Sequence, residues 1–382
     1  MTRHIPCPDA ARHNAIPFLH GAETAAISQA LLAGQYGHGE LTEEFERRLA
    51  AFLGVADVVA VASGTAALHI ALLTAGVGPG DEVIVPSQTY CATIHAIVAC
   101  GAHPRFIDIK PDTLCIDAAT VLAALTPHTR AVLPVLYGGR AIDLTGIQDR
   151  LATRGITVVE DAAHAFGSHT RTTLVGASSR ALTCFSFGPI KNLTCGQGGA
   201  IVPRSPEQAH TARSLRALGI TQSQQQRAQS TTYTVERVGL RATMSALNAS
   251  IGLVQLERFP LVAAKRQVLW RAYAAALAEL DDVVLVDVDV EHTVPFNCVV
   301  RLKGRERVFH LLRDRGIGVG VHYPPNHLQP AFHRWHRHLP ATEETGTQIM
   351  SLPFHPAMTD DDINFTVSAL QHAVITERSC AS

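Results

Sequence analysis

Lys191 stands between a β-like run, Ala181–Phe187, and a glycine-rich segment, Gly196-Gln-Gly-Gly199, with Pro189 two residues before it. That setting excludes a helix and predicts a lysine displayed on a loop that leaves a buried strand. An ammonium partly removed from water loses its proton readily, and the free amine can attack a carbonyl to form a Schiff base. Taken alone, the stretch reads as a surface lysine in a turn. Other residues are needed to decide.

Ser63-Gly-Thr65 opens a predicted helix directly after a strand, where backbone N–H groups and a hydroxyl suit a phosphate; a plain N-cap needs no more than the serine. Asp161 ends an apolar strand, Ile156–Val159 with Glu160, and a carboxylate there can pair with a protonated ring nitrogen, or serve as an N-cap or metal ligand. His164 can hydrogen-bond an oxygen of the same ring or lie in the core. Tyr90 offers a flat face for stacking, or ordinary packing. Ser186 adds a second hydroxyl near Lys191. Phosphate site, ring-nitrogen acid, stacking face and Schiff-base lysine together describe pyridoxal 5′-phosphate (PLP), with Lys191 as its anchor.

These groups need a scaffold that brings them to one edge. Strand-like runs at 57–61, 82–85, 104–109, 130–135 and 156–159 alternate with helical runs at 64–75, 91–100, after Asp117, and 143–153. The alternation predicts βαβ units and a mostly parallel sheet covered on both faces. Ligands in such sheets gather at the carboxyl ends of the strands, where these polar residues fall. Residues 1–40 read as an arm or loop and 41–260 as a large α/β domain. Residues 261–382 read as a smaller C-terminal α+β domain. Past Gly199 the pattern predicts a helix at 205–218, a mobile Gln/Ser-rich loop at 221–232, and two long helices, 244–256 and 261–280. Strands near 283–286, 298–302 and 319–323, a helix at 305–315 and a final helix after Thr359 complete the chain.

Of 382 residues, 47% are hydrophobic and 17% charged, which fits a compact enzyme and excludes a disordered chain. A net charge of −1 gives no general pull toward nucleic acid or anionic membrane. The start, Met1-Thr-Arg-His-Ile-Pro, lacks a signal-peptide layout, and no apolar run is long enough to span a bilayer. Eight cysteines without a Cys-x-x-Cys pair, several inside apolar runs, indicate buried thiols in a cytoplasmic protein. No metal site is expected. The histidine-rich run His333-Arg-Trp-His336-Arg-His338 reads as an exposed basic loop, with metal binding the lesser option.

Several motifs in order carry a resemblance: Ser63-Gly-Thr-Ala-Ala-Leu68, Gly80–Pro86, Glu160-Asp-Ala-Ala-His164, Cys184–Phe187 with Lys191-Asn192, Gly196–Gly199, Ala249–Leu256, Gly320-Val-His-Tyr-Pro-Pro325 and Ser351–Pro356. Over roughly residues 17–370 the chain resembles the DegT/DnrJ/EryC1/StrS family of PLP-dependent sugar aminotransferases, of fold type I (aspartate aminotransferase-like). The resemblance implies that Lys191 carries PLP and shuttles the proton, and that Asp161 keeps the pyridine nitrogen protonated. It also implies that His164, where many members have glutamine, contacts the ring hydroxyl, and that Tyr90 stacks on the ring. Gly64, Thr65, Ala66 and Ser186 would hold the phosphate, while His322, Tyr323 and His327 would line the substrate mouth. A homodimer with active sites shared between subunits is implied.

Two further departures accompany His164. Gly188 stands where many members have an aromatic residue or histidine, and Arg241 stands where many have the asparagine that touches the neighbour's phosphate. The implied reaction moves an amino group from glutamate to the keto group of a nucleotide-linked keto-deoxysugar. A keto-cyclitol acceptor of the aminoglycoside type, or a protein that binds PLP without turnover, are the alternatives. A PLP-dependent 3-dehydratase is disfavoured by Lys191, since the dehydratases of this kind carry histidine there.

Overall fold

The computed structural model describes residues 9–178, 180–222 and 224–381. Three βα units open the main sheet: α1 (Ala22–Leu32) and α2 (Glu40–Leu53) lead into β1 (Val59–Val61), α3 (Gly64–Thr74), β2 (Glu82–Pro86), α4 (Cys91–Ala99) and β3 (His103–Ile107). Next come α5 (Ala118–Ala124), β4 (Thr129–Val132), α6 (Thr145–Ala152), β5 (Thr157–Asp161), β6 (Ala181–Ser186) and β7 (Gly199–Val202). The seven strands lie in the order β1-β7-β6-β5-β4-β2-β3, and β7 alone runs against the other six. The expected mostly parallel sheet is therefore present.

Strand alternation assigns each side chain a face. Val59, Val61, Val83 and Val85 pack with Ile70 of α3 and Ile94 and Ile97 of α4. Ala60 meets Phe45 and Leu49 of α2 on the other side, and Ile84 meets Ile147 and Leu151 of α6. Helix α3, Gly-Thr-Ala-Ala-Leu-His-Ile-Ala-Leu-Leu-Thr, is apolar nearly all round, as a helix wedged between a sheet and another helix must be.

After α7 (Pro206–Arg216) the Gln/Ser-rich stretch holds one short helix, α8 (Gln224–Ala228). The two long helices expected from 244 to 280 are one: α9 (Ala246–Leu277) runs unbroken through Pro260. A proline inside a helix removes one backbone hydrogen bond at a cost of about 3 kcal/mol. Packing on both sides of it offsets that cost, since Leu256 and Phe259 sit in the core under the main sheet and Leu269, Trp270, Tyr273 and Leu277 in a second core. The domain boundary expected at 260–261 falls inside α9.

That second core is built on an antiparallel sheet, β10-β9-β8, of β8 (Val284–Leu285), β9 (Cys298–Arg301) and β10 (Ile349–Leu352), with α10 (Arg305–Asp314), α11 (Pro340–Gln348) and α12 (Asp360–Ala381). Two expectations fail locally. Residues 1–40 are not all arm: α1 forms and packs on α9, with Glu23 buried and accepting the Gln255 side-chain N–H. No strand forms at 319–323; Gly320 and Ser351 exchange one pair of backbone hydrogen bonds before the chain turns inward ahead of Pro324. Among the described residues no helix is long and apolar enough to cross a membrane.

Candidate active site

A cavity of about 310 Å³ opens at the carboxyl ends of the parallel strands, lined among others by Thr65, Tyr90, Asp161, His164, Lys191 and Tyr323. A larger groove of about 1200 Å³ lies elsewhere, between the Gly34–Gly39 loop and α7. It lacks this combination of groups, so the smaller cavity is the chemical site.

Lys191 follows β6 on a tight turn in which its N–H donates to the Gly188 carbonyl, 3.2 Å. Its Nζ lies 4.5 Å from the centre of the Phe296 ring. Burial pulls its pKa down to about 8, against the opposing attraction of Asp161. An amine in that range is partly unprotonated near neutral pH and competent as nucleophile and base.

Asp161 ends β5 and is buried. Its Oδ2 accepts from Thr93 Oγ1 at 2.7 Å and its Oδ1 from the Ala163 N–H at 3.1 Å. Burial raises its carboxyl above the ordinary range, with Thr93, Ala163 and the Lys191 charge pulling the other way. A carboxylate has about four lone-pair positions, so two bonds leave acceptor capacity on a side chain that lines the cavity. A protonated ring nitrogen satisfies that capacity.

His164 is held on three sides. Its ring stacks on Phe296 with centroids 3.9 Å apart, Nδ1 receives the Gly138 N–H at 3.4 Å, and Nε2 lies 3.1 Å from the Tyr323 hydroxyl. Because a backbone N–H can only donate, Nδ1 is the acceptor and Nε2 carries the hydrogen. Burial, with the charges of Lys191 and His322, pushes the pKa well below the ordinary imidazole value. His164 is thus a neutral Nε2–H donor, the same polarity that a glutamine amide would present.

The cavity is also lined, through Ser63, Gly64 and Thr65, by the N-terminus of α3. Ser63 caps it, its Oγ accepting from the Ala66 N–H at 3.1 Å, while the N–H groups of Gly64 and Thr65 have no acceptor within the helix. A Cβ on Gly64 would lie 2.7 Å from Ser186 Cβ, so only glycine lets the β6 end and the helix end close into one cradle. Free N–H groups, two hydroxyls and a helix N-terminus suit a phosphate monoester. Tyr90, more than half exposed, flanks the opening with its ring 5.5 Å from that of Tyr323.

The sequence pattern of the DegT/DnrJ/EryC1/StrS aminotransferase family matches residues 18–371. The chain belongs to this family. DesV of S. venezuelae, solved in complex with a ketimine intermediate, is 34% identical, with 94% of this chain and 98% of that one covered and a TM-score of 0.86. The aminotransferase TlmJ of Streptoalloteichus hindustanus is 32% identical over 95% and 99%, TM-score 0.88. Spr1654 of Streptococcus pneumoniae in its PLP form is 27% identical over 98% and 100%, TM-score 0.86. The fold is PLP fold type I, and the chain is a PLP-dependent aminotransferase.

Lys191, Asp161, His164, Gly64, Thr65, Ser186, Tyr90 and Tyr323 all line this family member's cavity. Ala66 stands one residue behind them, its N–H engaged by Ser63. His322 backs Tyr323 with Nδ1 2.8 Å from Ser351 Oγ, and burial drives its pKa to about 4. Two expected residues lie apart from the cavity. Arg241 is exposed, paired through its backbone with Ala217. His327 is fully buried between Ser87 and Glu343, which removes it from the mouth. Sequence reasoning missed Thr93 and Phe296. Thr93 follows Tyr90 by three residues at the start of α4, a helical spacing that places both at one end; nothing near Phe296 in the sequence points to the site.

Proposed function

We propose that this aminotransferase moves an amino group from glutamate to the keto group of a nucleotide-linked keto-deoxysugar. The convergence of Lys191, Asp161 and the Gly64–Ser186 cradle on one cavity carries the reading, because it offers PLP an anchoring amine, a partner for the ring nitrogen and a cradle for the phosphate. For the acceptor class, support comes from relatives described as sugar aminotransferases, among them CalS13 of Micromonospora echinospora at 27% identity and a TM-score of 0.85.

When bound, PLP supplies an electron sink and a carrier for nitrogen between the two substrates. Lys191 Nζ anchors it and moves the proton at the reacting carbon. Asp161 holds a proton at the ring nitrogen, His164 donates from Nε2 toward the ring oxygen, and Tyr90 covers the ring. The α3 N-terminus, Thr65 and Ser186 orient the phosphate. Tyr323 closes the side next to His164 and excludes water. We place the active unit in a homodimer, in which the partner's Arg241 reaches the phosphate. The exposure of Arg241 supports this.

The test is an absorbance spectrum of the purified protein before and after glutamate, followed by a screen of keto sugars. Loss of the visible cofactor band on adding glutamate, and its return with a nucleotide-linked keto-deoxysugar, is expected. A band that returns only with keto-cyclitols overturns the acceptor. A band untouched by any amino donor overturns the transaminase reading.

A further inference from the structure

The histidine-rich run has a partner that its own spacing does not reveal. The 3-10 turns Asn326–Leu328 and Pro330–Trp335 fold His327 and His336 toward Glu343 in the first turn of α11. One donor atom from each of the three lies within 4.8 Å of the others. His327 Nε2 is 3.3 Å from Glu343 Oε1, and His338 Nδ1 is also 3.3 Å from that oxygen. Ligands about 2.0–2.1 Å from a tetrahedral ion are separated by about 3.3–3.4 Å, so the His327–Glu343 pair already spans one edge of such a site.

We infer that His327, His336 and Glu343 form a binding site for a zinc-like divalent cation, with the fourth position open to water. The donors are imidazole and carboxylate, the set that suits zinc. His327 is fully buried, and its other ring nitrogen is tied to Ser87 Oγ at 2.7 Å, whose oxygen also accepts the His327 N–H at 2.9 Å. A ligand histidine is oriented in this way, by a hydrogen bond on the nitrogen that faces away from the metal. Glu343 is fixed by the Leu339 N–H at 2.8 Å. Asp108, which caps α11 through the N–H groups of Ala341 and Thr342, adds a second carboxylate nearby. His336 is exposed and its ring sits 5.5 Å from that of His327, so it closes on the ion by a side-chain rotation. An ion here ties the 326–328 turn, three residues past Tyr323 of the cofactor cavity, to α11. The site is separate from that cavity and stands whatever substrate the enzyme uses.

Cobalt(II), which reports tetrahedral coordination through intense visible bands, is titrated into the chelator-stripped, PLP-loaded protein, and zinc is used to displace it. One tightly bound cobalt per chain with those bands is expected. His336→Ala and Glu343→Gln each weaken binding by on the order of tenfold or more, while His372→Ala, an exposed histidine on α12, leaves it unchanged. Zinc raises the melting temperature of the wild type and not that of His336→Ala. Because His336 is exposed, that variant folds, and its metal-free melt matches the wild type. Absence of a stoichiometric site, or equal binding by wild type, His336→Ala and Glu343→Gln, overturns the assignment.

Discussion

Replacing Lys191 with methionine stabilises the cofactor-free fold, and the size of the effect depends on pH in a defined way. An ordinary lysine titrates near 10.5, and burial brings Lys191 to about 8. Between those values the unfolded chain holds a proton that the folded chain has released. Folding is therefore opposed below about pH 8, and stability is regained as pH rises toward 10.5. A shift of about 2.5 units corresponds to about 3 kcal/mol at pH 7. Methionine fills similar volume without the charge, so the variant is more stable than wild type by about that amount at pH 7. The advantage disappears above pH 10.5. Urea denaturation of the two cofactor-free proteins at pH 7, 8.5 and 10.5 measures it. Taking the difference between them cancels the titration of buried cysteines and tyrosines common to both. A pH-independent difference, or a variant less stable at pH 7, refutes the idea that the amine is kept reactive by desolvation. The same desolvation that makes Lys191 a nucleophile strains the empty fold.

Asp161→Asn retains the cofactor but slows the glutamate half-reaction by about 10²-fold or more, since the neutral amide cannot hold a proton on the ring nitrogen; rapid-mixing absorbance measures it, and near-wild-type rates remove Asp161 from that role. Thr93→Val deletes the hydroxyl that donates to Asp161 Oδ2 and pushes its pKa further up. The acid limb of the pH–rate profile moves to higher pH, while KM for glutamate changes little; an unmoved limb contradicts the coupling. Arg241→Ala weakens cofactor retention in equilibrium dialysis by about tenfold, as expected for loss of one charge-assisted contact of about 1.5 kcal/mol. Unchanged retention takes Arg241 out of the partner's site.

Much of this was legible in the sequence because it is local. Strand alternation, the Ser63 cap and a lysine between proline and glycines are each written within a short stretch of about ten residues. The alternating βα pattern then forces their ends to one edge. Failures came where tertiary packing overrides a local signal. Pro260 reads as a breaker, yet cores at both ends keep α9 continuous through it. Ala22–Leu32 has too weak an apolar face to announce itself, and α9 supplies the surface that it needs. The contacts that tune the site are longer still: Thr93 meets Asp161 across 68 positions, and Phe296 reaches back to both His164 and Lys191 from beyond α9. No periodicity carries such pairs.

Charge gives the last constraint. Among the described residues lining the cavity, Lys191 is the only lysine or arginine and Asp161 the only carboxylate, while His164 is held neutral by burial. One chain thus offers a site with no net charge. A phosphate monoester brings about −1.5 to −2 near pH 7, and a helix N-terminus answers with only about half a positive charge. In the function proposed above, Asp161 would serve the ring nitrogen and Lys191 the reacting carbon, so neither would balance the phosphate. The family's uncharged asparagine leaves that deficit in place, whereas an arginine at 241 reduces it. Arg241 lies outside its own chain's cavity, so in the homodimer proposed above it is the second copy that would bring it there. Charge balance and chain geometry therefore support the same arrangement, a dimer in which each subunit lends its guanidinium to the other.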